Sequence, residues 1–255
     1  MSAELSQLPV ATRLTAPERW TDSPIRIVVI GAGGNGSEVA DCLACFHVAL
    51  CSLGHPYGLS VTLIDGSVVR ESNVVRQRFW PCDMGQNKAV ALASRYNLNL
   101  GTSWVGIPRS FPCEDTTGPL ELADIVVTCV DVNSARRSVG HYGGKVRRDA
   151  MWLDLGNGHR HGQAVLGALH SALRKKFPSV LEEYPEVESL ADSNVKSCSA
   201  AESIATQDCL VNRTVATAGM NMLWELLRKG STDKHWMVVS LETGEQATYP
   251  FPRVA

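Results

Sequence analysis

The chain has 255 residues, 44% hydrophobic and 20% charged, which suits a substantial buried core and excludes a disordered chain. Its 24 Lys and Arg against 26 Asp and Glu leave a net charge of -2, with no basic excess for nucleic acid. No apolar run approaches the roughly 18–20 residues of a membrane span, and no cationic start precedes an apolar block, so the expectation is a cytoplasmic protein without a membrane partner.

Residues 1–20, polar and holding Pro9 and Pro17, read as a flexible arm. Ile25–Ile30 is a short buried strand, followed at once by Gly31-Ala32-Gly33-Gly34-Asn35-Gly36. A helix from Ser37 to about Cys51 carries Val39, Leu43, Phe46 and Leu50 on one face, and Val61–Asp65 is the next strand. This order is a βαβ unit and predicts a parallel sheet. Further along come a helix over 87–97, a strand over 102–107 and a strong buried strand over 124–131. A helix over 133–146 and strands over 151–155 and 163–169 follow, the last marking a switch to mixed sheet. Residues 171–197, rich in charge and with Pro178 and Pro185, read as a solvated crossover loop. A long helix starts near 200–203, with Val211, Val215, Ala218, Met222 and Leu226 as its apolar stripe and Gly230 as its stop. Trp236–Leu241 and Ala247–Tyr249 make a C-terminal hairpin. The expected fold is α/β in a single domain over 1–255, a Rossmann-like, mostly parallel sheet flanked by helices.

Eight cysteines in a chain without a secretory signal read as free thiols. Cys42 and Cys45 form a lone CxxC, and the others make no second pair, so no structural zinc is expected. Both read as small apolar side chains on a buried helix. Cys209, inside the predicted long helix, reads as packed.

Gly31, Gly33 and Gly36 form GxGxxG between a strand and a helix. The first permits a tight turn, the second lets phosphate approach the backbone, and the third lets helix and strand pack closely. Gly34 joins them as a cofactor-binding candidate. Asp65 closes the next strand, where an acid accepts hydrogen bonds from ribose hydroxyls; it lies 29 residues after Gly36, further than the ~20 usual in dinucleotide sites. On these features alone, a nicotinamide enzyme and an ATP enzyme fit equally.

The stretch from Asp65 through Ser72-Asn73-Val74-Val75-Arg76-Gln77 to Gly85-Gln86-Asn87-Lys88 separates them. It resembles the ATP-binding signature of the ubiquitin-activating-like superfamily that includes ThiF and MoeB. Asp131 resembles that family's acid after the fourth strand, and Ser197-Cys198-Ser199, Gln207 and Asn212 resemble the C-terminal part of ThiF-type proteins. Residues 152–158 and 221–227 bring the chain nearest to the ThiF-family protein of bacterial PRTRC cassettes.

The resemblance implies ATP- and Mg²⁺-dependent adenylation of the C-terminal carboxylate of a small ubiquitin-like or sulfur-carrier protein by a homodimer. It assigns positive charge at the phosphates to Arg76 and Lys88, a phosphate or ribose contact to Asn73, substrate positioning to Gln77 and Mg²⁺ to Asp131. Bringing two anions together requires such cations. Cys198, near the start of the predicted long helix, is the candidate nucleophile for a subsequent thioester. A trans-acting arginine, which family members often donate, has only Arg13 and Arg19 as candidates. His159 and His161 read as a solvated loop, and Asn157 as lining the route of a peptide C-terminus. Two other readings stay open: an NAD(P)- or FAD-dependent oxidoreductase, and a non-catalytic scaffold.

Overall fold

The computed structural model describes residues 12–192, 205 and 207–253. Its strands are β1 (Leu14–Thr15), β2 (Ile25–Ile30), β3 (Leu59–Ile64), β4 (Val105–Ile107), β5 (Ile125–Thr128), β6 (Met151–Asn157), β7 (His161–Ala168), β8 (Ser231–Thr232), β9 (Lys234–Ser240) and β10 (Gln246–Pro250). Its α-helices are α1 (Gly34–Ser52), α2 (Glu71–Val74), α3 (Lys88–Leu100), α4 (Glu114–Leu122), α5 (Asn133–His141), α6 (Val180–Glu183) and α7 (Val211–Lys229).

Eight strands build one sheet in the order β10-β9-β7-β6-β5-β2-β3-β4. From β4 to β6 the pairings are parallel, and β7, β9 and β10 extend the sheet antiparallel. Strand β2 is buried on both faces because helices cover both. Ile27 and Val29 join Val39, Leu43, Val215, Met222 and Leu226 in the core under α1 and α7. Val28 and Ile30 point the other way, to Leu120, Val139 and Leu181 from α4, α5 and α6.

Connections from β2 run to β3 on one side, while β5 lies on the other. The chain therefore reverses direction across the sheet at β2, and a crevice opens beyond the carboxyl ends of these strands. The GxGxxG turn and the ends of β3, β5 and β6 all face it.

Three expectations need correction. The arm is packed from residue 12 onward: β1 pairs with β8, Leu14 and Trp20 are buried, and Arg19 bridges Asp124 and Asp149. Residues 171–192 hold short helical turns and bury Phe177, Ser179, Val180, Leu181 and Val187, because Val180, Leu181 and Val187 join the core under α5 and Phe177 joins the core on the opposite face. The long helix runs from Val211; ahead of it, the Asp208 N–H donates to the His159 carbonyl at 2.9 Å and ties the segment to the β6–β7 turn. Gly230 ends α7 with φ +72°, the left-handed stop its position predicts.

Candidate functional site

The glycines of the turn do different work. Gly31 has φ +91°, and a Cβ there would lie 2.6 Å from the Cys129 carbonyl oxygen. A Cβ on Gly36 would lie 1.8 Å from the Gly31 carbonyl oxygen, so α1 can pack onto the turn only through glycine. Gly33 has open space where a Cβ would stand and faces the crevice. Gly34 is needed for another reason: the Asn212 amide fills the space, 2.5 Å from where its Cβ would be.

Around this turn lies a cleft of about 1690 Å³. Its walls include Gly31, Gly33, Gly34, Asp65, Arg76, Gln77, Lys88 and Asp131, residues far apart in sequence that the topology gathers at one end of the sheet.

Asp65 follows β3, and its carboxylate accepts from the Ala32 and Ser67 backbone N–H groups, both at 2.7 Å. It thus pins the glycine turn, while its remaining lone pairs face the cleft. Lys88 is the first residue of α3, whose N-cap Asn87 accepts from the Val90 N–H at 3.1 Å. Its side chain is buried, and among the described residues no carboxylate lies within ion-pair distance. Burial pushes its pKa down; Asp65 opposes that, Arg76 and Arg70 add to it, and Asp131 opposes it more weakly.

Arg76, half-buried, donates through Nη1 to Gln207 Oε1 and, at 2.9 Å, to Asn212 Oδ1. Burial lowers its pKa and Asp131 raises it, but a guanidinium stays protonated throughout. The buried Gln77 Oε1 accepts no hydrogen bond among the described residues, an acceptor waiting beside the cleft. Asp131 is exposed at the mouth, three residues past the end of β5.

Asn73 is placed differently. Its Oδ1 accepts from the Arg70 N–H at 2.9 Å and closes the first turn of α2, and it does not line the cleft. Cys198 lies outside the described residues. Cys209 is exposed in the turn ahead of α7, not packed within it, because that helix starts two residues later. Cys45 is exposed and Cys42 half-buried, since only part of α1 faces the core. Arg13 and Arg19 are both engaged within this chain, with Ser231 and with Asp124 and Asp149.

Two networks escaped the sequence reading. In the wall of the cleft, buried Asp154 on β6 accepts from Thr128 Oγ1 and from Arg136 Nε at 2.8 Å, and Arg136 also donates to the Val130 carbonyl at 2.7 Å. Above the glycine turn, Asn35 Nδ2 donates to Asn157 Oδ1 at 2.8 Å, and Asn212 Nδ2 donates to both Asn35 Oδ1 (3.0 Å) and Asn157 Oδ1 (3.2 Å). Asn157 carried a local signal, its flanking glycines, and Asn212 was marked by the resemblance, but neither revealed the contact between them.

The donor set suits a nucleotide triphosphate. An open glycine, a helix N-terminus and the cations Lys88 and Arg76 favour phosphate oxygens, and the exposed Asp131 carboxylate suits Mg²⁺, which prefers one or two carboxylates plus phosphates.

A family model described as the ThiF family matches residues 9–225. The chain belongs to the ThiF family. Solved structures share its fold. The crystal structure of SeMet PaaA superposes with a TM-score of 0.61 at 15% identity, covering 89% of this chain and 64% of that one. E. coli MccB with ATP gives 0.60 at 18% identity, covering 90% and 64%. E. coli MccB with AMPCPP and SeMet MccA gives 0.60 at 17%, again covering 90% and 64%. At these identities the likeness establishes the fold, and this ThiF-family chain spans about 64% of the length of those proteins. No curated protein matches the sequence.

Proposed function

We propose that this ThiF-family chain activates the C-terminal carboxylate of a small ubiquitin-like or sulfur-carrier protein by adenylation with ATP and Mg²⁺. A carboxylate oxygen attacks the α-phosphorus of ATP, the bond to the pyrophosphate oxygen breaks, and an acyl adenylate and pyrophosphate form. The observation that carries the reading is Lys88: a buried ammonium facing the glycine turn, with no carboxylate of the described residues in ion-pair contact. A burial cost of that kind is recovered when an anion enters.

In this reading Lys88 and Arg76 stabilise charge on the transferring phosphate, the Gly33 backbone lets it approach, and Asp65 holds the ribose. Asp131 holds Mg²⁺, which neutralises phosphate charge. Gln77 Oε1 accepts from a substrate N–H. Crystal structures of MccB with ATP and with MccA, on the same fold, support a nucleotide and a small polypeptide as partners. The single-domain organisation, homodimer, cytoplasmic location and PRTRC-cassette assignment belong to the same proposal. So does transfer of the acyl group to Cys198, whose thiolate would attack the acyl carbonyl and release AMP.

The test is pyrophosphate–ATP exchange by the full chain with a candidate carrier. Carrier-dependent exchange supports adenylation; tight NAD(H) binding without exchange overturns it. Mass spectrometry then decides the thioester step: a carrier adduct that persists in Cys198→Ala removes that thiol from the reaction.

A further inference from the structure

The Arg76 guanidinium is gripped from a distant part of the chain. Its Nη1 donates to Gln207 Oε1 and to Asn212 Oδ1, more than 130 residues along the sequence. Asn212 has no freedom to turn. Its Nδ2 is committed to Asn35 Oδ1 and Asn157 Oδ1, which orients its Oδ1 toward Arg76. Its side chain also occupies the space over Gly34, so the same amide seats the glycine turn and the arginine. Asn35 lies in the first turn of α1, Asn157 at the end of β6, and Asn212 in the first turn of α7.

We infer that Gln207 and Asn212 are positioning residues that aim Arg76 at the nucleotide in the cleft. The inference rests on the adenylation reading above. An amide oxygen suits the task. It accepts from the guanidinium without contributing negative charge, so these two contacts orient the cation without themselves offsetting its charge. The ring of three asparagines carries the register of the glycine turn to α7, so Arg76 and the turn move together.

A double-mutant cycle tests this. Exchange and the KM for ATP are measured for wild type, Gln207→Ala, Asn212→Ala, Arg76→Ala and each pair with Arg76→Ala. Each single amide variant is expected to lose roughly ten-fold in exchange per ATP concentration, the order of one hydrogen bond to a charged group. In the Arg76→Ala background the same changes should cost less than about two-fold, since their route of action is gone. Losses that multiply, or a loss that tracks a falling melting midpoint, overturn the inference and make the amides structural. Gln207, half-buried outside the asparagine ring, keeps the test decisive if Asn212→Ala does not fold. Wild-type protein that shows no exchange refutes the adenylation reading and the inference with it. Wild-type exchange with undiminished variants refutes the positioning role alone.

Discussion

Replacing Lys88 with methionine separates the charge of this side chain from its bulk. The stem is buried at the start of α3, so a thioether of similar length preserves packing while removing the ammonium. Opposite unit charges about 4 Å apart interact by about 4 kcal/mol at an effective dielectric near 20. At about 1.4 kcal/mol per factor of ten, Lys88→Met is expected to lower exchange at limiting ATP roughly 10³-fold. Stability should not follow. Burial already disfavours the charged form and holds the folded pKa below 10.5, so the apolar replacement should be neutral or stabilising. The sign with pH is set by the same shift. Below 10.5 the unfolded state binds more protons at this site than the folded state, so stability rises as the alkaline range is entered. That rise should be missing from Lys88→Met. The assays are pyrophosphate exchange against ATP concentration and melting curves from pH 7 to 10. Exchange within two-fold of wild type would refute the role. So would a midpoint lowered by more than about 4 °C, roughly 1–2 kcal/mol for a chain of this size, since Lys88 would then be a structural cation.

The glycines divide cleanly. Gly33→Ala should keep the melting midpoint, its Cβ meeting nothing within 4 Å, yet weaken nucleotide binding measured by titration with a fluorescent ATP analogue; Gly36→Ala, with a Cβ 1.8 Å from the Gly31 carbonyl oxygen, should fail to fold. Asp154→Ala strands the buried Arg136 guanidinium and should cost about 3–5 kcal/mol in urea denaturation. Burial pushes the Cys42 thiol up to about 12 from 9.0, with Asp41 adding to it. A raised pKa stabilises the fold below pH 9 and loses that contribution as pH climbs toward 12, so Cys42→Ala should flatten the alkaline decline seen by urea denaturation between pH 8 and 11.

Much of this protein was readable locally. The run Ile25–Ile30 is buried on both faces and could only be a central strand; Gly31, Gly33 and Gly36 follow it at the spacing of a phosphate turn; and Gly230 stops α7 through its positive φ. These are short-range effects of side-chain pattern and backbone sterics, so neighbouring residues suffice to express them. Asp65 was legible as the acid closing its strand; Arg76, Gln77, Lys88 and Asp131 were marked only by the family resemblance, and the sheet brings all five to the wall of one cleft.

What the sequence could not state are the pairings across long separations. Asn73 was legible as part of a motif, but its Oδ1 accepts from the Arg70 N–H and closes the first turn of α2. Cys209 looked like part of a helix, and a tie to the β6–β7 turn delays that helix to Val211. The grip of Asn212 on Arg76 and the Arg136–Asp154 pair join segments that meet only when β6 and α7 dock beside the glycine turn. Composition and periodicity thus determined the elements, and the motif resemblance pointed to their chemistry. Which polar groups satisfy one another was decided by tertiary packing, since a buried donor takes whatever acceptor the fold brings within reach.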